Sequence, residues 1–262
     1  MHNLPWSSEE LIKLHELYPV LPTKELTGVF NRNELAIKRK AGLLGIRKIN
    51  PKHKNSNLSV LLGNDLVAFY WIGYLLADGS FSSNSIKLAS SVKDSIHLST
   101  FADFITSPVK QYVSSSGYNA GKPYLEVRGM DSDIVPRIIE KFSIPNNKTY
   151  YPPTISSYNF TDEQLITMII GFIDGDGSIN SIRHDSNFRI TIHSHISWKE
   201  NLDFMNTCLH NYFGYTIANS VTIDKRGFAY LSIGKSDLVN SIKLFINDNS
   251  LPVMRRKWFR DS

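Results

Sequence analysis

The chain has 262 residues, 42% hydrophobic and 20% charged, a balance that belongs to a globular protein and excludes a disordered one. Its longest apolar run, Leu66 to Ala77, is 12 residues, short of the ~20 that a membrane span needs, and no signal-peptide pattern opens the sequence. One cysteine, Cys208, excludes an internal disulfide and a cysteine-built zinc site, so an intracellular, cytoplasmic protein with no membrane partner is expected.

The net charge of +5 is unevenly placed. Residues 1–57 hold ten Lys and Arg against five Glu, which accounts for all of it, and the remainder is neutral. Between Arg32 and Lys54, eight basic residues stand against one acid. Such concentration points to an anionic partner, most commonly nucleic acid, with a plain solvated face as the alternative.

Three short helices are predicted first. Ser7 with Glu10 has the capping-box form, and Leu11, Leu14 and Leu17 follow at helical spacing until Tyr18-Pro19. Thr23 is expected to cap a second helix carrying Leu26, Val29 and Phe30. A third starts near Asn33, carries Leu35, Ile37, Ala41 and Leu44, and ends at Gly45. Lys38, Arg39 and Lys40 lie on its other face, with Arg47 and Lys48 just beyond. Trp6 and the stretch from Asn33 to Lys48 resemble the Myb/SANT-like helix-turn-helix modules that precede phage and bacterial endonuclease domains, although such bundles also bind proteins. Residues 1–48 are therefore expected to form a helix-turn-helix DNA-binding domain. Residues 49–64 read as a linker.

An internal repeat fills the rest. The segment from Trp71 to Ser80 (WIGYLLADGS) returns from Ile169 to Ser178 (IIGFIDGDGS), 98 residues later. After each copy the elements recur in the same order, with strands expected near 80–90, 109–114, 123–129, 178–184, 187–195, 216–224 and 228–234. Helices are expected at 93–105, 132–142, 197–212 and 236–247. The fold class is therefore α+β, a pseudo-two-fold pair of αββαββα repeats at 65–153 and 154–262, preceded by a small three-helix domain.

Each motif closes a helix, capped by Asn64 or Asp65 in one repeat and by Thr161 with Gln164 in the other. Gly79 and Gly177 stand where a left-handed residue ends a helix. Gly73 and Ala77, then Gly171 and Gly175, put small residues four apart on one helix face, where another backbone can approach closely. Asp78 and Asp176 lie in the last turn, where the helix dipole disfavours a carboxylate by roughly 0.3–1 kcal/mol. Close packing of the two helices would also set the acids against each other. A divalent cation between them removes both penalties, and an all-oxygen site suits magnesium.

These residues resemble the LAGLIDADG motif, and the repeat resembles the single-chain, two-motif homing endonucleases over about 65–262. The resemblance implies a site-specific endonuclease that breaks both strands of DNA across the minor groove at a long site, leaving short 3′ overhangs. It implies two or three Mg2+ ions shared between Asp78 and Asp176, with Ala77 and Gly175 among the metal-holding positions. It also implies a basic residue beside each site; Lys148 in PNNKT and Lys257 in MRRKW occupy those positions. The earlier motif acid is present as Asp174 and replaced by Leu76 in the first half, which puts an accessory contact in doubt. A monomer acting on double-stranded DNA is expected, encoded by a mobile intron, an intein or a free-standing phage gene. A non-cleaving binder on the same fold, an RNA maturase or transcription regulator, is the alternative.

Strand alternation then gives the DNA face, with the sheets expected to form a DNA-binding saddle. Phe188, Ile190 and Ile192 alternate with Asn187, Arg189, Thr191 and His193, while Tyr124, Glu126 and Arg128 alternate with Leu125 and Val127. Lys87, Lys225, Arg226 and Tyr230 complete the expected DNA contacts. His193 and His195 share a face, where DNA contact or support of the site is favoured over metal binding. Tyr150 and Tyr151 read as packing residues.

Overall fold

Ser7 Oγ accepts the Glu10 N–H at 3.2 Å and Glu10 Oε2 accepts the Ser7 N–H at 2.8 Å, so the capping box is formed and α1 (Ser8–Leu17) begins behind it. The computed structural model describes residues 5–46, 56–116, 120–181, 188–217, 220–234 and 236–259. The chain divides into two compact units, Met1–Asn55 and Ser56–Ser262.

The first unit contains α1, α2 (Thr23–Phe30) and α3 (Glu34–Leu43). Thr23 is the first helical residue of α2 rather than its cap, because Pro22, with its ring-fixed φ, takes the cap position. Asn33 Oδ1 caps α3 by accepting the Ala36 N–H at 2.8 Å. At the far end Gly45, at φ 68°, turns left-handed and the Ile46 N–H returns to Ala41 O at 2.9 Å. Leu14, Tyr18, Leu26, Phe30, Ile37, Ala41 and Ile46 form the core, whereas Val29, Leu35 and Leu44 face solvent. Arg32 is turned inward. Its guanidinium grips both Glu10 carboxylate oxygens at 3.0 and 3.1 Å and lies 4.3 Å above the Trp6 ring, so it takes no part in a basic surface.

The second unit starts earlier than the linker reading allowed. Leu58–Leu62 form a 3-10 helix, and Leu58 and Leu61 are buried in the large core, because this apolar run packs rather than spans. Residues 49–55 lie outside the described residues. The first repeat follows as α4 (Leu66–Asp78), β1 (Ser80–Phe81), β2 (Ser85–Ser91), α5 (Ser95–Phe104), β3 (Val109–Val113), β4 (Pro123–Met130) and α6 (Ile134–Lys141). The second is α7 (Asp162–Asp176), β5 (Gly177–Ser181), β6 (Phe188–His195), α8 (Lys199–Tyr212), β7 (Thr222–Ile223), β8 (Phe228–Ile233) and α9 (Ser236–Asp248). A short α10 (Arg255–Trp258) follows and carries Lys257. The strand orders β1-β2-β4-β3 and β5-β6-β8-β7 are the same in both antiparallel sheets. β7 is shorter than 216–224 because the Val221 N–H is taken by Asp203 Oδ1 at 3.1 Å instead of by a strand.

α4 and α7 meet backbone to backbone. A Cβ placed on Gly73 would lie 1.8 Å from Met168 O, one on Gly171 2.0 Å from Tyr70 O, and one on Gly175 2.3 Å from the Ala77 Cβ. Only glycine permits that approach. Asp65 Oδ1 caps α4, and Thr161 with Gln164 forms the capping box of α7. No helix among the described residues is long and apolar enough to cross a membrane.

Candidate active site at the ends of the motif helices

Asp78 and Asp176 are the last residues of α4 and α7. The glycines behind them are not left-handed. Gly79 (φ −76°) and Gly177 (φ −89°) are extended, and glycine is required there because a Cβ would lie 2.6 Å from Leu75 O or 2.5 Å from Ile173 O. Each chain leaves its helix hard against the last turn, and this sets the direction in which β1 and β5 depart.

Both aspartates reach solvent, yet protein rings them closely. Burial pushes Asp176 up to about 6, helped by the charge of Asp78, against the opposing pull of Lys148, Lys257 and a Ser194 hydrogen bond. Burial likewise raises Asp78, while Lys257, Lys148 and the Tyr74 hydroxyl hold it down. Of the two ammoniums, Lys148 acts more strongly on Asp176 and Lys257 more strongly on Asp78. Burial heads the causes because the carboxylates sit in concave, low-dielectric surroundings.

Lys148 Nζ donates to Leu76 O at 2.7 Å and Ala77 O at 2.8 Å, covering the carbonyl end of α4. Lys257 Nζ donates to Asp174 O, to Gly175 O at 3.4 Å and to Gly177 O at 2.7 Å, covering the end of α7. A cation at a helix C-terminus is favoured by the dipole. The two lysines therefore occupy equivalent places, each following the last helix of its repeat. The Ala77 and Gly175 carbonyls, expected to hold metal, accept lysine hydrogens in this structure. Burial lowers the pKa of both lysines.

The segments carrying these lysines are strapped across the seam. Trp198 Nε1 donates to Lys148 O at 3.1 Å, Ser197 Oγ to Thr149 O at 2.9 Å and Asn201 Nδ2 to Pro153 O at 2.8 Å, so the first strap lies on the second repeat. The second strap lies on the first repeat, where Arg256 Nε meets Asp94 Oδ1 at 2.5 Å. Asp174 is not a surface accessory. It is fully buried and accepts from Tyr70 Oη at 2.6 Å, Met254 N at 2.9 Å and Trp258 Nε1 at 2.8 Å, anchoring the second strap from inside. Burial raises its pKa against those hydrogen bonds. Its counterpart Leu76 is simply packed in the core.

On the Asp176 side, Lys148, Tyr150, Asp176, His193, His195, Trp198 and Arg226 line one cleft of about 440 Å³. The His193 ring lies 4.5 Å from Tyr230, and the His195 ring 4.9 Å from Tyr150. Tyr150 and Tyr151 are 60% and 68% exposed rather than packed, because the turn at Asn147 (φ 58°) throws them outward.

The expected DNA-facing residues divide into several groups. Arg189 and His193 are exposed, Thr191 and Tyr230 half-buried beside them, with Thr191 Oγ1 bonded to Ser178 Oγ at 2.7 Å. Lys225 and Arg226 are exposed on the turn before β8, where Asp224 Oδ2 holds the Arg226 guanidinium at 3.0 and 3.2 Å. Lys87 and Arg128 are paired across β2 and β4. Glu126 departs from the prediction: it is only 7% exposed, because Arg128 at 3.2 Å and Lys87 at 3.9 Å close over it. Tyr124 stacks on Tyr112 at 5.6 Å. In the first unit Arg39 is exposed, Lys40 half-buried, and Lys38 exposed but paired with Glu34 at 3.1 Å. Arg47, Lys48 and Asn187 lie outside the described residues. The contributions of Ser194, Trp198 and Asp94 were not anticipated; the position of Ser194 next to His193 in β6 is the one hint the sequence offers.

No protein-family model and no curated protein matches the chain. Solved structures do. The homing endonuclease I-WcaI, bound to its DNA recognition sequence, aligns over 79% of this chain and 89% of its own at 16% identity, with a TM-score of 0.54. The LAGLIDADG meganuclease I-CpaMI bound to uncleaved DNA covers 71% and 86% at 14% identity and a TM-score of 0.46. Full-length DUF199/WhiA from Thermatoga maritima covers 76% and 61% at 17% identity and 0.45. The fold is that of the LAGLIDADG homing endonucleases. In this LAGLIDADG fold the doubled motif helices form the seam, and each carries its acid to the same end.

The residues there fit a hard divalent cation. The described residues hold no group of three or more His, Cys, Asp or Glu placed for a metal, so the donors are two carboxylates and backbone carbonyls, all oxygen. The charge of Asp78 helps to raise the pKa of Asp176, and a cation between them would relieve that repulsion.

Proposed function

We propose that the chain is a site-specific endonuclease that hydrolyses both strands of double-stranded DNA, acting as a monomer with Mg2+. The observation that carries this reading is the doubling. Two mutually repelling aspartates close the two halves of one seam, and each has a half-buried lysine at the adjoining helix end. Asp78 and Asp176 hold the metal, with the Ala77 and Gly175 carbonyls beside them. The bound ions supply Lewis-acid polarisation of the phosphate and a more acidic water.

The protein's own groups do the rest. The sheet faces carrying Lys87, Arg128, Arg189 and Thr191 bind and orient the duplex. Lys148 and Lys257 face the charge that grows on the phosphate. Water adds to phosphorus, one phosphorus–oxygen bond of the diester breaks, and the proton lost by water ends on the leaving alkoxide. Two acids about a pseudo-two-fold axis match two antiparallel strands, giving short 3′ overhangs. Lys38, Arg39 and Lys40 of the first unit add contacts to the DNA backbone and lengthen the site.

The test is cleavage of a randomised duplex library with Mg2+, comparing wild type with Asp78→Asn and Asp176→Asn. Wild type should cut a sequence-defined subset, and each variant should lose double-strand cutting. Undiminished cutting by either variant removes it from the mechanism. Tight, selective binding by wild type without cutting would replace this reading with the non-cleaving one.

A further inference from the structure

We infer that the surroundings of the two acids are chemically unlike, and that His193 and His195, with Arg226, form a phosphate-gripping subsite on the Asp176 side alone. The inference rests on the endonuclease reading and adds to it an order of strand cutting.

The pairing registers align the repeats residue by residue. Ser80 faces Lys87 and Ser178 faces Thr191, so Lys87 corresponds to Thr191, Ala89 to His193 and Ser91 to His195. The next strand agrees, since Ser91 faces Tyr124 and His195 faces Phe228. Where the second repeat puts two imidazoles into the cleft beside Asp176, the first offers a methyl group and a small hydroxyl. Three residues on, the place of Trp198 is held by Asp94, a carboxylate whose charge adds to that around Asp78. An incoming phosphate therefore meets donors beside Asp176 and an extra acid, paired with Arg256, beside Asp78.

The donors beside Asp176 are also held in place. His195 Nδ1 is fixed by Ser197 Oγ at 3.0 Å and its ring rests on Tyr150, leaving Nε2 for a ligand. The His193 ring lies on Tyr230. Arg226 is clamped by Asp224 and stands at the same cleft. Donors already placed need no reorganisation when charge develops on the phosphate oxygens. The strand lying on this side is cut first, and nicked duplex is the intermediate.

The experiment uses the full-length protein and a duplex recovered from the randomised library, with a different fluorophore on each strand. Under single-turnover conditions with Mg2+, one strand should be cut faster. The double variant His193→Ala/His195→Ala should slow that strand about tenfold or more and leave the other within about twofold. Transplanting the imidazoles with Ala89→His/Ser91→His should narrow the difference. Equal strand rates, or equal slowing of both strands, overturns the inference. A second readout needs neither metal nor cutting. In EDTA, the His193 and His195 proton resonances should shift when duplex is added, while those of the buried His97 and His210 should not. If His193 and His195 stay unshifted the subsite is wrong, whatever the enzyme cuts. If they shift but wild type cuts no duplex, the subsite stands and the endonuclease reading falls.

Discussion

The hydroxyl of Tyr70 donates to Asp174 Oδ2 at 2.6 Å, joining α4 to α7 through a buried acid 104 positions away in sequence. The same carboxylate accepts the Met254 N–H and the Trp258 indole, so it also seats the strap that delivers Lys257. Asp174→Leu copies the residue at the equivalent place in the other half but leaves the buried Met254 N–H and Trp258 indole without an acceptor, and Tyr70 Oη with His97 Nε2 at 3.1 Å. The expected loss is about 3–5 kcal/mol, read from denaturant midpoints. Trypsin should also cut at Arg255, Arg256 and Lys257 well below the global transition. A variant with wild-type stability and a protected C-terminal segment would show that something else holds the strap.

The glycine pattern gives a paired prediction. Gly73→Ala and Gly171→Ala force a Cβ against the backbone of the facing helix, where nothing flexible can yield. Each should destabilise the second unit by about 3 kcal/mol or more. Gly28→Ala, inside α2 with open space where the Cβ would go, should instead stabilise the first unit by about 0.5–1 kcal/mol. Urea unfolding followed by circular dichroism separates the two outcomes, and equal effects would contradict the packing described for the seam.

Asp176 makes the metal-free fold sensitive to pH. An acid whose pKa rises on folding, here from 3.8 to about 6, withdraws stability as pH climbs through that interval, and the loss persists above it. Its carboxylate reaches solvent, so screening limits the effect to about 1 kcal/mol. In EDTA above pH 6, Asp176→Asn should therefore melt roughly 2–4 °C higher than wild type, with no gain below about pH 4. Added Mg2+ should stabilise wild type and not the variant. A variant that melts lower throughout would mean the carboxylate is held by attraction rather than strain.

The first unit can be tested through salt. Replacing Lys38, Arg39 and Lys40 together by Ala should lower the slope of log K against log salt by roughly 2–3, at about 0.9 for each phosphate no longer neutralised. Arg32→Ala should leave the slope unchanged and instead unfold the unit more easily, because Arg32 is committed to Glu10 and Trp6. A triple variant with the wild-type slope would detach this domain from DNA.

Much of the architecture was readable because local patterns and the repeat agreed. The alternation of Phe188 to His193 became β6, and the two capping boxes became helix starts. What escaped depended on residues distant in sequence. Asp174 reads as an accessory contact in its motif, and only Trp258 and Met254, some 80 positions away, make it an anchor. Glu126 alternates onto the open face, but Lys87 and Arg128 fold over it. Gly79 and Gly177 look like left-handed caps, while their true constraint is a carbonyl at 2.6 or 2.5 Å that no single-sequence rule foresees. The lysines were placed by their position after each repeat, but their grip on the helix carbonyls needed the folded straps.

Because Gly73 rests on Met168 and Gly171 on Tyr70 with no side chain between, the spacing of the two acids is set by peptide backbone alone. It acts as a ruler that side-chain drift cannot stretch. On the proposed endonuclease reading, exchanges on the sheet faces would change which sequence is bound, while the distance between the two points of attack stays constant.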